Sequence, residues 1–433
     1  MSIFVRAITI LIALVALSGW AQDLQRFPPP DFESGYTFPV TQTPVPRGAV
    51  MSFVDVAVLF AALSLASYFS IKTRNRQGVF YLTIFSLIYF GFYRQGCVCA
   101  IGSIQNVTLA LFDSNYALPF AVVAFFLLPL FFTLFFGRVF CAGVCPLGAI
   151  QDLVLIKPMK VPHWLHQALG MFTYVYFGAA VLFAALGSAF IICKYDPFVS
   201  FFRMTGSLTV VTLGVCLLII GLFVGRPYCL YLCPYSVLLK LFSQFSQWRV
   251  TVGPGGECVQ CDSCEDACPF NAITNPTPED QPPPSEVDKK RLTLFIAMAP
   301  VIILAVGWAA SFSATPFSRM DYVIRLAERI ALEDASAVEG YTEASQAFRE
   351  SGEPSQPLFA EARRIRERYV WGGWMLGAFI GFVIACKLIA HSIVQERNAY
   401  EADRSDCLAC GRCYCSCPLE RKRLRQLKSA SYV

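Results

Sequence analysis

The chain is poor in histidine and in charged residues. Only three histidines occur in 433 residues, and charged residues make up 15% of the sequence. His163, His166 and His391 are all predicted near the cytoplasmic face, which excludes histidine pairs that hold haems one above another through a bilayer. No C-x-x-C-H sequence is present, so attached haem is also excluded.

Glycine-rich loops that bind nucleotides are absent as well. No G-x-G-x-x-G opens a helix and no Walker loop occurs, so we predict neither nicotinamide binding nor ATP hydrolysis. The net charge of +5 comes from short basic clusters beside apolar segments. Such clusters report on membrane topology, and we predict no nucleic-acid partner.

Apolar residues, in contrast, are abundant. Hydrophobic residues make up 56% of the chain and aromatic residues 14%, which indicates an integral membrane protein. The predicted fold class is an all-α polytopic membrane protein with an internal repeat, joined to a small cytoplasmic α+β module. Seven apolar segments approach the length that a hydrocarbon core of about 30 Å requires. They are residues 50–70, 78–93, 117–137, 167–192, 206–224, 292–312 and 370–391.

The segments before and between these spans set the predicted topology. Residues 1–21 resemble a cleaved signal peptide, with an uncleaved first helix as the alternative, and the proline-rich residues 22–49 form an extracytoplasmic strap. Residues 50–249 then make a membrane domain of five helices. Basic residues follow the first, third, fifth and seventh spans, which places these loops and the C-terminal tail on the cytoplasmic side of the membrane. The predicted location is the inner membrane of a bacterium.

Two cysteine runs share the spacing C-x2-C-x2-C-x3-C-P. They are Cys258, Cys261, Cys264 and Cys268, and then Cys407, Cys410, Cys413 and Cys417. Thiolates at this spacing hold [4Fe-4S] clusters, and in two-cluster ferredoxins the fourth cysteine binds the other cluster. A zinc site would instead show paired C-x2-C sequences set well apart. We therefore predict two [4Fe-4S] clusters with exchanged fourth ligands.

These two runs belong to one ferredoxin module that a membrane hairpin divides. The first half covers residues 250–291, and the second half, with a basic tail, covers residues 392–433. Between them lie the sixth and seventh spans and a charged extracytoplasmic insert, residues 313–369. Within the insert, helices are predicted at 320–335, 341–350 and 359–369. Both halves are expected in the cytoplasm, where thiols stay reduced.

An internal repeat supplies a second group of cysteines. The stretch GRVFC-x3-CPL that starts at Gly137 aligns with GRPYC-x3-CPY that starts at Gly225. Cysteines four apart on a helix share a face, so the two pairs together offer the four thiolates that one iron–sulfur cluster needs. Four buried free cysteines, or two separate metal or disulfide pairs, are the alternatives. The residues are Cys141, Cys145, Cys229 and Cys233.

A third group of cysteines is predicted on the opposite, extracytoplasmic face. Cys97 and Cys99 follow the second span and Cys193 follows the fourth. They would complete a redox site with an unidentified fourth ligand, or form a disulfide in an oxidising compartment. Counting both membrane groups, the sequence allows one or two further iron–sulfur centres.

Five stretches of the chain resemble a known family. They are YFGFYRQGCVCAIGSIQN, GRVFCAGVCPLGAIQD, CKYDPF, GRPYCLYLCPYSVLL and CVQCDSCEDACPFNAI. Together they are similar to the membrane and polyferredoxin region of the NosR family and, more distantly, to NapH-type membrane ferredoxins. The resemblance implies electron delivery across the membrane to extracytoplasmic acceptors, with nitrous oxide reductase as the system associated with NosR. The chain departs from that family in two ways, because it lacks the N-terminal flavin-binding domain and carries the insert. Both departures weaken the implication of a covalent flavin and of a link to nitrous oxide.

The sequence thus predicts a membrane-bound iron–sulfur electron-transfer protein. Its expected partners are membrane lipid, a cytoplasmic electron donor or the quinone pool, and an extracytoplasmic redox protein. Since no independent substrate site is evident, we expect an electron-transfer subunit of an oxidoreductase system. The alternative is a redox or metal sensor, or a maturation factor for an extracytoplasmic metalloenzyme. The direction of electron flow and the oligomeric state do not follow from the sequence.

Overall fold

A computed structural model of the protein describes residues 48–96, 100–203, 207–253, 258–277, 286–393 and 397–430. These residues form a mostly helical structure with one small sheet. The predicted signal peptide and nearly all of the predicted strap lie outside the described residues.

Twelve described helices build the membrane domain, and two of them continue into a π-helical turn. They are α1 (Ala49–Ser67, continued by a π-turn at Tyr68–Lys72), α2 (Arg76–Ser86, continued by a π-turn at Leu87–Tyr93), α3 (Ala100–Phe112), α4 (Phe120–Phe136), α5 (Val139–Gly143), α6 (Pro146–Val154), α7 (His163–Ala185), α8 (Ile191–Tyr195), α9 (Pro197–Arg203), α10 (Leu208–Gly221), α11 (Pro227–Tyr231) and α12 (Tyr235–Ser243).

The remaining elements form the ferredoxin module, the hairpin and the insert. They are α13 (Ser263–Asp266), β1 (Ile273–Thr274), α14 (Glu286–Ser311), α15 (Ala314–Ser318), α16 (Tyr322–Asp334), α17 (Glu343–Glu350), α18 (Ser355–Ser392), β2 (Glu401–Ala402), α19 (Arg412–Ser416) and α20 (Pro418–Ala430).

Within the described residues, four helices are long and apolar enough to cross a membrane. They cover Val50–Lys72, His163–Ala185, Lys289–Ser311 and Ser355–Ser392, and a bent pair formed by α9 and α10 would make a fifth. These four overlap the first, fourth, sixth and seventh predicted spans. Helices α4 and α10 have 17 and 14 residues, fewer than the roughly 20 that a straight span needs. The prediction of seven spans is therefore supported for four.

Helix α18 corrects one predicted boundary. The sequence predicts an insert helix at 359–369 and a separate span at 370–391, whereas the structure has one helix of 38 residues. Alanine, arginine and glutamate are strong helix formers, and they occupy every position from Ala360 to Arg368 except Ile365. At 1.5 Å per residue this helix is about 57 Å long, so it extends well beyond a hydrocarbon core. Helices α16 and α17 lie where the sequence predicts the other two insert helices.

The two long helices of the hairpin, α14 and α18, approach each other closely along a row of glycines. Gly373, Gly377 and Gly381 recur every fourth residue of α18. A Cβ atom on Gly377 would lie 2.5 Å from the carbonyl oxygen of Val306 and 2.5 Å from the Cβ of Ala310. Small residues at such positions let membrane helices pack backbone against backbone.

A two-stranded antiparallel sheet joins the halves of the ferredoxin module. Ile273 of β1 pairs with Ala402 of β2, and Thr274 pairs with Glu401. The strands lie on opposite sides of the hairpin in the sequence, so the chain leaves the module, forms the hairpin and the insert, and returns. The apolar core runs without interruption from the membrane domain into this module.

Candidate iron–sulfur sites

The cysteines of the two ferredoxin runs gather around two cavities. Cys417 lines the first cavity together with the first three cysteines of the earlier run, Cys258, Cys261 and Cys264. Cys268 lines the second cavity together with the first three of the later run, Cys407, Cys410 and Cys413. Each set takes its fourth thiol from the other half of the module, as the spacing predicts. We name them the outer set and the inner set.

The same local fold presents the thiols in both runs. A helix of about one turn, α13 or α19, carries the third cysteine, and the residue before each helix has a positive φ angle. That residue is Gly411 in the later run, with φ of 76°, and Asp262 in the earlier run, with φ of 57°. Glycine adopts this left-handed conformation readily, and aspartate tolerates it better than most residues. The turn lets the thiols before it and within it face one point.

The two sets differ in their exposure to solvent. Cys258 and Cys261 of the outer set are exposed, whereas Cys413 of the inner set is buried. Hydrogen bonding from Ser263 lowers the pKa of Cys261, and burial raises the pKa of Cys413 well above its ordinary value. The other two outer thiols are buried and the other three inner thiols are half-buried, so the outer set opens to solvent through two thiols, whereas no inner thiol is fully exposed.

The cysteines of the internal repeat form a third set. Cys141, Cys145, Cys229 and Cys233 are all buried and line one cavity. Cys141 lies in α5 and Cys229 in α11, and a proline follows the second cysteine of each pair. Pro146 begins α6, and Pro234 directly precedes α12. The prediction that the repeat brings these two pairs together is thus consistent with the structure. We name them the membrane set.

Two fully buried arginines accompany the membrane set. Arg138 is 1% exposed, and its Nη2 lies 3.9 Å from the Sγ of Cys141 and 2.7 Å from the Oγ of Ser236. Arg226 is 0% exposed, donates to the carbonyl oxygen of Cys141 and pairs with Asp152 at 3.0 Å. Burial opposes the charge of Arg226, but the carboxylate of Asp152 outweighs it and raises the pKa of the guanidinium.

The donors of the membrane set fit an iron–sulfur cluster. The Nε atoms of Arg138 and Arg226 are buried without a hydrogen-bond partner among the described residues. A buried donor left unpaired costs about 1–3 kcal/mol, and the sulfur atoms of an anionic cluster are suitable acceptors. The side chain of Gln151 adds an N–H directed at the Sγ of Cys229, at 3.4 Å.

The spacing of the side chains also bears on whether these four cysteines suit a single metal ion or a cluster. Across the described ranges, no three His, Cys, Asp or Glu side chains stand at the distances that a single metal ion requires. A tetrahedral zinc ion with Zn–S bonds of about 2.3 Å would hold its sulfurs about 4 Å apart. A cluster of several iron and sulfide atoms holds its thiolates further from one another. Cys141, Cys145, Cys229 and Cys233 would hold such a cluster in the membrane domain.

The inner set packs directly against the membrane set. The Nη1 of Arg138 donates to the carbonyl oxygen of Ser405 at 3.0 Å, two residues before Cys407. The guanidinium of Arg226 lies 5.8 Å from the ring centre of Phe270, two residues after Cys268. A Cβ on Gly225 would lie 2.8 Å from the carbonyl oxygen of Pro269, which leaves no room for a side chain between them.

The third predicted group is only partly described. Cys97 and Cys99 lie outside the described residues, and Cys193 is exposed in α8. Helix α3 begins one residue after Cys99, and the side-chain oxygen of its Gln105 accepts from the backbone N–H of Ile192 at 3.0 Å and of Cys193 at 3.4 Å. The helix that follows Cys99 thus contacts Cys193, and a site formed by the three cysteines stays a prediction.

Several polar residues near the thiols were not assigned a role from the sequence. Sequence patterns place Arg138 and Arg226 in the repeat and among the basic residues that follow the third and fifth spans, but assign neither to a site. Asp196 is fully buried and accepts from the hydroxyl of Tyr228 at 2.6 Å, and Tyr228 directly precedes Cys229. In the sequence, Asp196 stands out only by its position three residues after Cys193. Its hydrogen bond with Tyr228 joins two segments that only the folded structure brings together.

Two family models match the chain, and each is described as a 4Fe-4S binding domain. One matches residues 118–165 and again residues 207–252, and the other matches residues 256–274. The first two matches contain the two halves of the internal repeat, and the third contains the first ferredoxin run. Iron–sulfur binding is thus supported from both regions.

The chain is also similar to a curated protein of Escherichia coli (strain K12) that carries the provisional name electron transport protein YccM. The two are 29% identical over 119 residues, which is 25% of this chain and 33% of that protein. The chain thus spans about a third of the length of that relative. No solved structure matches the chain.

Together these findings define the class of protein. The family matches, the similarity to an electron transport protein and the four long apolar helices support a membrane protein with a role in iron–sulfur electron transfer. They are consistent with a membrane ferredoxin. The narrower resemblance to the NosR family stays a prediction.

Proposed function

We propose that this protein carries electrons across a bacterial cytoplasmic membrane through three iron–sulfur centres. A cytoplasmic donor or the quinone pool would supply the electrons, and an extracytoplasmic redox protein would receive them. The ferredoxin module lies on the cytoplasmic side in this proposal, and the chain has seven spans and belongs with NosR-like membrane ferredoxins. The protein is then an electron-transfer subunit of an oxidoreductase system.

The observation that carries the proposal is the contiguity of the three thiol sets. Two thiols of the outer set open to solvent, the inner set is mostly half-buried, and the region around the membrane set packs against the inner set through Arg138, Arg226 and Gly225. A bilayer core of about 30 Å is too thick for one efficient electron transfer step. A buried centre between the module and the far side meets that need.

The residues of this chain have separate tasks in such a path. Iron–sulfur clusters, when bound, accept and release one electron at a time, and no covalent bond breaks. One electron leaves the donor, which is oxidised, and one electron reaches the acceptor, which is reduced. The outer thiols would hold the point of entry at the surface, and the four buried thiols of the membrane set would hold a centre away from water.

The far end of the path is the least constrained part of the proposal. Cys193 and its contact with Gln105 support a terminal site that includes Cys97 and Cys99. The insert that contains α15 to α17 is the proposed docking surface for the extracytoplasmic partner. Its long connecting helix, α18, reaches well past the hydrocarbon core, which would keep a bound partner close to the membrane.

The test is the double variant Cys141→Ser with Cys229→Ser, which removes one thiol from each pair of the membrane set. In proteoliposomes with a reductant on the module side and an impermeant acceptor on the other side, we expect transmembrane reduction to be lost. The EPR signals of the two ferredoxin clusters should stay intact, because their eight thiols are unchanged.

The matched control is Cys386→Ser, since Cys386 is an exposed cysteine of α18 and belongs to no thiol set. It should retain full transmembrane electron transfer. Unimpaired transfer in the double variant would contradict the membrane relay.

A further inference from the structure

We infer that Arg138 and Arg226 are positioning residues that favour the reduced state of a cluster at the membrane set. By this inference they raise its reduction potential above that of the outer cluster, so that electrons pass from the ferredoxin module toward the membrane. The inference rests on the proposed function, because it requires a cluster at the membrane set, and it adds a direction of flow.

The first support is the placement of the two charges. Each arginine lies three residues before the first cysteine of its repeat, and both are fully buried. Burying a guanidinium is costly unless an opposite charge compensates it. Arg226 has Asp152 as a partner, whereas Arg138 forms no ion pair within the part of the chain that the structure describes. A negatively charged cluster at four thiolates would compensate both.

The second support is the direction of the donors. Arg138 lines the same cavity as the four thiols and its Nη2 donates toward the Sγ of Cys141. Its Nε and that of Arg226 are buried and have no partner among the described residues. Gln151 directs a further N–H at the Sγ of Cys229. Hydrogen bonds to cluster sulfurs and nearby positive charge are among the factors that set a cluster potential.

The consequence follows from simple electrostatics. Reduction adds one negative charge to the cluster, and fixed positive charges stabilise that charge more strongly in a buried site than in water. The outer set has charges of both signs around it, because Asp262, Glu265 and Asp266 lie between and beside its cysteines, while Arg249, Arg397 and Glu401 line its cavity. Lys160 offsets two of the carboxylates. Charges that are mixed in sign and open to solvent act less strongly on an added electron than the two buried guanidinium groups, which makes the membrane set its more favourable location.

Both arginines also have a mechanical role that the test must separate from an electrostatic one. Arg138 binds the carbonyl oxygen of Ser405 and Arg226 stacks on Phe270, so each ties the ferredoxin module to the membrane domain. A purely structural residue would change assembly or stability. Only a residue that acts on the electron would shift the midpoint potential of an assembled cluster.

The experiment is an EPR-monitored redox titration of the purified full-length protein, with iron and sulfide analysis. In Arg138→Met, which removes the charge but keeps a long side chain, we expect the midpoint potential of the membrane cluster to fall and those of the ferredoxin clusters to stay. Arg138→Lys should stay near the wild-type potential. Arg366→Gln, which alters an exposed ion pair of the insert, is the control and should change no potential.

Each result bears on the inference. An unchanged membrane-cluster potential in Arg138→Met, with full iron content, overturns it while leaving the proposed function intact. If Arg138→Met fails to assemble the cluster, Arg138→Lys separates the two roles of this residue. Recovery of the cluster in Arg138→Lys supports the charge role, whereas loss in both variants assigns Arg138 to folding alone. A wild-type protein with iron for only two clusters would overturn both the inference and the membrane relay.

Discussion

The outer set and the membrane set each offer four thiols, but they do so in opposite surroundings. The outer set opens to solvent and has charges of both signs around it, including Arg249, Arg397 and Glu401, whereas the membrane set is buried beside two guanidinium groups. Three of the outer thiols come from seven consecutive residues, while the membrane thiols come from two segments about ninety residues apart. The same ligand type thus serves an accessible point of entry in one place and an enclosed relay in the other.

The comparison teaches that the surroundings of the thiols, rather than their number, separate the roles. Potential and accessibility depend on neighbouring charge, hydrogen bonds to sulfur and solvent exposure. The inner set is intermediate, because three of its four thiols are half-buried and only Cys413 is buried. Its position against Arg138 and Arg226 makes it the connection between the two environments.

The largest effects are expected from the exchanged cysteines. Cys417→Ser should remove the outer, solvent-exposed cluster and spare the inner one, because Cys417 lines the cavity of Cys258, Cys261 and Cys264. Cys268→Ser should do the reverse. Iron analysis and EPR of each variant, with an exposed paramagnetic relaxant to mark the outer cluster, would measure which signal disappears.

The control for this pair is Cys415→Ser, since Cys415 lies inside the later run but lines neither of these two cavities. It should retain both signals. If Cys268→Ser removed the exposed cluster instead, the outer and inner sets would each be built from a single run, and the comparison would need to be redrawn.

A somewhat smaller effect is expected where the hairpin supports the module. Gly377→Leu would place a side chain where even a Cβ meets Val306 and Ala310 at 2.5 Å, so α14 and α18 must separate. Both halves of the module continue into these helices, and we expect a reduced yield of the outer and inner clusters together. The membrane set is built by α5 and α11 and should keep its cluster. EPR intensities per protein would measure this.

Met375→Leu is the matched control, because Met375 lies on the same helix and is exposed. It should leave all three signals unchanged. Loss of the membrane cluster in Gly377→Leu, in step with the other two, would show that the membrane set also depends on the hairpin.

The ferredoxin sites could be predicted from sequence because their ligands are close in the chain. One turn of helix and a left-handed residue suffice to converge three thiols, and the exchange of the fourth cysteine follows from the spacing. The internal repeat likewise predicts the four cysteines of the membrane set. The fold class, the hairpin and two insert helices were also accessible, since hydropathy and charge patterns are local properties.

The surroundings of the sites could not be predicted in the same way. Arg138 meets Ser405, and Arg226 meets Asp152 and Phe270, across contacts that only the packed structure brings together. Hydropathy alone also does not give the length of each helix, as α4 and α10, with 17 and 14 residues, illustrate. The continuous α18 is not predicted as one helix, because its composition changes from charged to apolar near Tyr369 although its helix propensity does not.

An intermediate effect is expected at the buried contact between the membrane set and the module. Asp152 pairs with Arg226 at 3.0 Å and lies 3.7 Å from Arg412, and its side chain is 13% exposed. Asp152→Asn leaves Arg226 buried without its carboxylate, and breaking a buried pair in this way costs about 3–5 kcal/mol. The loss of cluster absorbance during urea denaturation in detergent should shift to lower urea.

Asp334→Asn is the control, since Asp334 pairs with Arg349 on the exposed insert. Its urea midpoint should stay near that of the wild type. An equal shift in both variants would mean that the buried position of Asp152 adds nothing.

The smallest effect is expected on the outer side of the comparison. Lys160 pairs with Glu265 at 3.0 Å and with Asp266 at 2.9 Å, but its side chain is 47% exposed. Exposed pairs contribute about 0–1 kcal/mol because water and salt screen them. Lys160→Ala should therefore lower the urea midpoint far less than Asp152→Asn, and added salt should remove most of the difference from wild type. A salt-insensitive fall in the urea midpoint as large as that of Asp152→Asn would show that the outer set is held as tightly as the membrane set. The contrast between an open entry and an enclosed relay would then fail at this contact.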